Sequence, residues 1–311
     1  MKTRNIITII SIIFALVSCS SENDILNEMP SYNTEVSGIE ATISCVINNV
    51  QTRAAQTEND KAINNVVYFL LDNNGDVLGY RSTSNNSASF QTKNQKGLSV
   101  LAVANATTDV TTDVTTMSSR AGIMNLILSE GDLNSLVKVG EKEVTFGKDD
   151  NASVQITVNQ IAARIDLSSL TLTITDADVV TLESVELKNQ NTAGMMNGTT
   201  QTFAGSTGTV EATKNITLVN GENEAAACHF YSFANGSATA TALVLYFDID
   251  GKKVSKEVTI KVANNGANGV VSGANHQLQI KAAIQGENVT PEVSFTVADW
   301  NKSQISVDMS E

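Results

Sequence analysis

Two short stretches carry side chains on which chemistry can act. Leu16-Val17-Ser18-Cys19 closes an N-terminal apolar run with a small residue and then a cysteine, the arrangement in which a bacterial cysteine is acylated and becomes the new N-terminus. Gln51-Thr52-Arg53-Ala54-Ala55 is polar, with one basic residue among small ones. Such a segment enters a protease cleft extended, and trypsin-like enzymes cut after Arg53, leaving Ala54 as the new first residue. Neither stretch catalyses anything. Both are substrates.

The flanking residues fit these roles. Lys2 and Arg4 precede the apolar run 6–17, which is too short to span a bilayer and matches a secretory signal peptide. The bland alternative is a plain signal peptide with an incidental cysteine at 19. Multiple acyl chains on Cys19 would hold the protein at a membrane surface, each buried methylene contributing roughly 0.8 kcal/mol. Residues 20–37 are polar, contain Pro30, and look like a flexible tether; Glu22 and Asp24 just after Cys19 resemble a lipoprotein surface-export signal.

Between tether and Arg53 lies an alternating segment, 39–50. Ile39, Ala41, Ile43, Cys45 and Ile47 point one way, while Glu40, Thr42, Ser44 and Asn48 point the other. Period-two alternation marks a half-buried β-strand. The chain thus carries a strand on a removable leader.

Catalysis finds little support elsewhere. His229 and His276 are the two histidines and lie far apart; no Ser/His/Asp motif, CxxC, HExxH or glycine-rich phosphate loop is present. Asp72-Asn73-Asn74-Gly75-Asp76 resembles part of a calcium loop, but the spacing is incomplete and it reads better as a hairpin turn, Asn74-Gly75 adopting positive φ as a type I′ pair. No metal or cofactor is expected. Arg164 and Asp166 share one face of a strand and read as a structural ion pair at a domain junction. Trp300, the single tryptophan, reads as a packing anchor. A formal charge of −13 with no basic patch argues against nucleic acid. A bridge between Cys45 and Cys228 would keep the leader tied on after a cut at Arg53, so buried free thiols fit better.

The remaining chain is long enough for two ordinary domains, and short β-branched runs between turn residues suggest β-sandwiches. Strands are expected at 62–71, 77–81, 98–104, 144–146 and 154–158. A second series starts near Ile161-Ala162-Ala163-Arg164-Ile165-Asp166, with strands at 170–174 and 182–187 and a hairpin at Asp250-Gly251 between 242–247 and 254–262. The boundary is set near 157, giving domains 38–157 and 158–311. One helix is expected across 118–128, capped by Ser118 or Ser119, with Ile123, Leu126 and Ile127 at helical spacing. Toward the C-terminus Val293, Phe295 and Val297 alternate with polar residues, and so do Ile305, Val307 and Met309. A free terminal strand at one end and a removable one at the other suggest exchange between subunits.

In their order along the chain, these segments resemble the fimbrillins of Bacteroidetes type V pili. The match takes in Cys19, Thr52-Arg53-Ala54, Val67-Tyr68-Phe69-Leu70-Leu71-Asp72, Leu101-Ala102-Val103-Ala104-Asn105, Ile161-Ala162-Ala163-Arg164-Ile165-Asp166, Phe230-Tyr231-Ser232-Phe233-Ala234-Asn235 and Val297-Ala298-Asp299-Trp300. The resemblance implies an all-β fold of two transthyretin-like β-sandwiches. It implies a lipoprotein of the outer membrane and cell surface, cut at Arg53-Ala54 by an arginine-specific protease, losing the strand 39–50 and polymerising by strand exchange. The donor would be Phe295, Val297, Ile305, Val307 and Met309. Implied partners are other fimbrial subunits, the membrane through Cys19, the protease, and a host receptor or other bacteria. The segment after Trp300 is short, which leaves both a donating shaft subunit and an accept-only tip adhesin open. A surface lipoprotein that captures glycans is the alternative outside the family, and aromatic platforms for it are scarce.

Overall fold

The computed structural model describes residues 39–51, 58–111, 118–175, 177–201, 207–224, 228–236, 240–261, 269–285, 288–299 and 305–309. Cys19, the residues 52–57 containing Arg53 and Ala54, and Trp300 lie outside them.

The N-terminal half contributes β1 (Glu40–Gln51), α1 (Glu58–Lys61), β2 (Val66–Leu71), β3 (Val77–Thr83), β4 (Ser87–Lys93), β5 (Ser99–Ala104), α2 (Arg120–Met124), β6 (Ile127–Leu128), α3 (Glu130–Ser135), β7 (Lys138–Glu143) and β8 (Asn151–Gln160). Seven of the strands form one sheet in the order β3-β2-β5-β7-β8-β1-β4. The β7–β8 ladder comprises Lys138↔Gln160 and Val139↔Asn159. The sheet bends at that corner into two facing layers. Ile43, Cys45, Ile47, Phe90, Val154 and Ile156 from one layer pack against Val66, Tyr68, Leu70, Val100 and Ala102 from the other.

β2 is buried at every position, which period two explains once both faces are covered. Val67, Phe69 and Leu71 point away from the interlayer core into a second cluster with Ile123, Leu128 and Leu133. Met196 and Phe233, from the C-terminal half, complete that cluster.

The C-terminal half contributes β9 (Ala163–Thr175), β10 (Val180–Asn191), β11 (Gly194–Met195), β12 (Thr207–Leu218), β13 (Asn223–Glu224), β14 (Cys228–Ser232), β15 (Ala242–Ile249), β16 (Lys252–Thr259), β17 (Ala274–Gln285), β18 (Asn288–Asp299) and β19 (Ile305–Met309). A four-stranded sheet, β12-β10-β15-β16, packs on a six-stranded one ordered β13-β9-β17-β18-β19 with β14 also on β9. Ile165, Leu167, Leu182, Val185, Leu245, Phe247, Leu278 and Ile280 fill the space between them. A short ladder, β6 with β11, joins the halves. A Cβ at Gly194 would stand 2.6 Å from Phe233, so this close approach demands glycine.

Several expected boundaries move. β8 runs to Gln160 and β9 starts at Ala163, so the chain crosses between sheets later than residue 157. The helix over 118–128 is a single turn, Arg120–Met124, whose N-cap Ser119 accepts from the Gly122 N–H at 3.2 Å. Ile127 leaves it for β6 and is exposed, because pairing with β11 satisfies the backbone there. Two more short turns, α1 and α3, accompany it. Residues 62–65 precede β2 and are held by Asn105 instead: its φ is +61°, its side chain accepts from the Asn64 N–H at 2.8 Å, and it donates to the Ala62 carbonyl at 2.9 Å. Residues 144–146 follow a strand rather than form one, β7 supplying it from charged residues.

The two turns exchange roles. Asn74 has no positive φ, and Gly75 alone does (+84°); the Asp72 carboxylate accepts from the Asn74 and Asp76 N–H groups at 2.8 Å each and shapes a longer loop. The paired positive φ values of a type I′ turn occur at Asp250 (+49°) and Gly251 (+82°).

Candidate assembly site

β1 is the middle strand of its layer. It runs antiparallel to β4 from Glu40↔Lys93 to Val46↔Ser87 and parallel to β8 from Thr42↔Asn151 to Gln51↔Asn159. Ala41, Ile43, Cys45 and Ile47 face the core and are at most 4% exposed. Ile39 departs from the expected row: it precedes the strand, is 66% exposed, and its carbonyl accepts from the Asn94 N–H at 2.8 Å. The four inward side chains contribute on the order of 5–8 kcal/mol through burial. Taking β1 out would unpair β4 along its whole length and β8 along most of its own. The result is a two-walled slot with polar backbone on both sides and an apolar floor.

Cys45 is one of the inward side chains of β1 that cover that floor. Its Sγ donates to the Ala88 carbonyl at 3.3 Å, and burial pushes the thiol up to about 11. It stays protonated and unreactive while β1 is seated. Cys228 is equally buried, with its thiol also raised to about 11 by burial. The two are free and belong to different cores.

The structure divides the expected donor residues between two strands. β18, with Phe295 and Val297, pairs along its full length with β17 (Ala274↔Asp299 to Gln285↔Asn288) and belongs to the C-terminal sandwich. β19, with Ile305, Val307 and Met309, pairs on one side only, Val297↔Ile305 to Val293↔Met309, as the outermost strand of its sheet. Pro291 falls on β18 beyond the stretch β19 covers, where a missing N–H is tolerated. β1 and β19 thus sit in different sheets of one chain.

The junction between the halves holds a charged cluster of which the sequence analysis named two members. Arg164 donates to Asp60 at 2.5 Å and to Asp166 at 2.8 Å, and Tyr231 Oη donates to Asp60 at 2.6 Å. Asp60 is fully buried. Lys138, also fully buried, donates to the Leu136 carbonyl at 3.0 Å and the Ala62 carbonyl at 3.2 Å; burial lowers its pKa to about 8, against the pull of Asp60. In the sequence, Glu58-Asn59-Asp60-Lys61 has the character of a solvated turn. No local pattern marks the burial of Asp60.

His229 is exposed and stacks edge-on against Tyr231. His276 is fully buried, and its Nε2 accepts from the Val271 N–H at 3.1 Å. Burial lowers its pKa from 6.5 to about 4. The unfolded chain therefore takes up a proton between about pH 6.5 and 4 that the folded chain refuses. Stability from this group is whole above pH 6.5 and drains as pH falls toward 4, by about 3 kcal/mol. Urea unfolding at pH 7 and pH 4.5 should show a drop in wild type that His276→Gln, which keeps an acceptor for Val271, lacks by most of that amount. Equal drops would place the acid sensitivity elsewhere. Among the described residues no group of three or more His, Cys, Asp or Glu side chains is arranged to hold a metal ion.

No protein-family profile matches this sequence, and no curated protein matches it either. Solved structures do match. A candidate cell adhesion protein from Parabacteroides distasonis superposes with a TM-score of 0.60 at 16% identity, covering 85% of this chain and 97% of that one. A fimbrilin from Porphyromonas gingivalis gives 0.59 at 13% identity over 84% and 97%. A C-terminally truncated tip fimbrial protein from the same organism gives 0.52 at 12% identity over 84% and 100%. At such identities the likeness establishes the fold.

Proposed function

We propose, from the fold it shares with solved fimbrial proteins, that this chain is a structural subunit of a cell-surface fimbria. In this reading Cys19 carries lipid during export, a protease cuts after Arg53, β1 departs, and the C-terminal segment of a second copy fills the slot between β4 and β8. The observation that carries it is the seat of β1: a central strand, supplying core side chains, joined directly to the segment containing Arg53.

The energetics favour exchange over simple loss. An empty slot exposes backbone donors and acceptors on two strands together with an apolar floor, which a sandwich does not long tolerate. A replacing strand restores both ladders by β-strand addition. Donor and acceptor occupy different sheets, so the contact is heterologous and, unless rotation closes a ring, grows an open filament.

Cleavage by trypsin followed by gel electrophoresis without boiling tests this reading. Detergent-resistant ladders should appear together with thiol labelling of Cys45 on the released peptide, while Cys228 stays protected. A cut chain that remains monomeric with Cys45 unreactive would contradict it.

A further inference from the structure

β1 is gripped unevenly along its length. Residues 42–46 bond to both neighbours, but the β4 ladder stops at Val46↔Ser87 while the β8 ladder continues to Gln51↔Asn159. Beyond the Ile47 N–H, which donates to the Asn86 carbonyl at 2.9 Å, residues 49–51 pair, among the described residues, with β8 alone. That ladder is itself interrupted. The register jumps between Ile47 and Asn49, leaving Asn48 as the extra residue with its amide donating to Gln155 at 2.9 Å. A bulged, one-sided stretch opens more readily than a two-sided one.

The other end is better fastened. Only residues 40–41 lack the β8 ladder there; Lys93 pairs with Glu40, and the Asn94 N–H bonds the Ile39 carbonyl. The weak end is therefore the one facing Arg53. Its tether leads to α1, which Asp60 fixes in the junction.

We infer that the incoming strand first docks on β8 along residues 156–159 and displaces β1 from Gln51 back toward Glu40, its source being β19 of a second copy. This rests on the strand-exchange reading above. β19 is five residues long and bound by one ladder in its own sheet. It is thus long enough to cover the one-sided end of β1 on which it would dock, though shorter than the twelve-residue strand as a whole. Each backbone bond lost along the stretch β19 covers is then remade as exchange proceeds, so docking does not first require the whole slot to be bared.

Hydrogen exchange on the full chain, cut after Arg53 and kept dilute, reads the order of opening. Amides of residues 48–51 should exchange at least about tenfold faster than those of 42–46. Uniform exchange across β1, or faster exchange at residues 40–42, overturns the inference. Assembly supplies a second reading. Deleting Asn48 makes Ile47 and Asn49 adjacent opposite Ile156 and Thr157, which removes the bulge and should slow polymerisation about tenfold, whereas Lys93→Ala should leave the rate unchanged. A neutral deletion with an accelerating Lys93→Ala overturns it. Failure of cut wild type to polymerise at all would strike the strand-exchange reading, while the exchange data would still decide which end opens.

Discussion

Arg53→Ala is expected to give a lipidated monomer that reaches the surface and never polymerises. The reason is an asymmetry of concentration. Uncut, β1 remains joined through residues 52–57 to α1, and α1 is held by a buried ion pair at Asp60. A displaced β1 returns to its slot intramolecularly, at an effective concentration on the order of millimolar for a short link. A competing strand from a micromolar neighbour loses by about a thousandfold, before any difference in contacts. Cutting removes that advantage and lets the competitor hold what it gains. Arg53→Lys should resist an arginine-specific protease yet assemble once trypsin is added. Abundant fibres from Arg53→Ala without cleavage would remove the leader's role.

Asp60→Ala is expected to destabilise the chain by about 3–5 kcal/mol, as expected when one partner of a buried ion pair is deleted. The substitution strips Arg164 of its 2.5 Å partner, takes the acceptor from Tyr231, and leaves Lys138 buried without its nearby opposite charge. Asp166 still holds one face of Arg164 at 2.8 Å, so the loss stops short of a bare guanidinium. Asp60 lies in α1 while Arg164 and Tyr231 lie in β9 and β14, so the damage falls on the junction between halves. Denaturant unfolding should show a lower midpoint, with separation into two transitions as the coupling weakens. A loss under about 1 kcal/mol would mean that water reaches the cluster and screens it.

What could be read from residue order follows from which interactions are local. The alternation of Ala41, Ile43, Cys45 and Ile47 announces a half-buried strand, since period two survives in any context with one dry face. Asp250-Gly251 announces its turn, because positive φ selects residue types directly. Asn74-Gly75 misled because the Asp72 side chain, reaching across to Asn74 and Asp76, decides the loop from outside the central pair. β7 stayed hidden in Lys138-Val139-Gly140-Glu141-Lys142-Glu143, whose charges suit the exposed end of a strand but spoil the apolar pattern. Asp60 meets Arg164 and Tyr231 across 104 and 171 residues respectively, a separation no window of sequence spans. For the proposed assembly site, the presence of a strand at 40–51 is legible in the sequence. Its central position, its uneven grip, and the division of the expected donor residues between an integral β18 and a singly held β19 required the pairing.

Peptide mapping of subunits recovered from assembled filaments puts the central claim at most direct risk. Subunits that begin at Ala54, with residues 40–51 missing and the C-terminal segment of one chain cross-linking to β4 and β8 of the next, are the expected result. Filaments whose subunits retain residues 40–51 seated between β4 and β8 would contradict it.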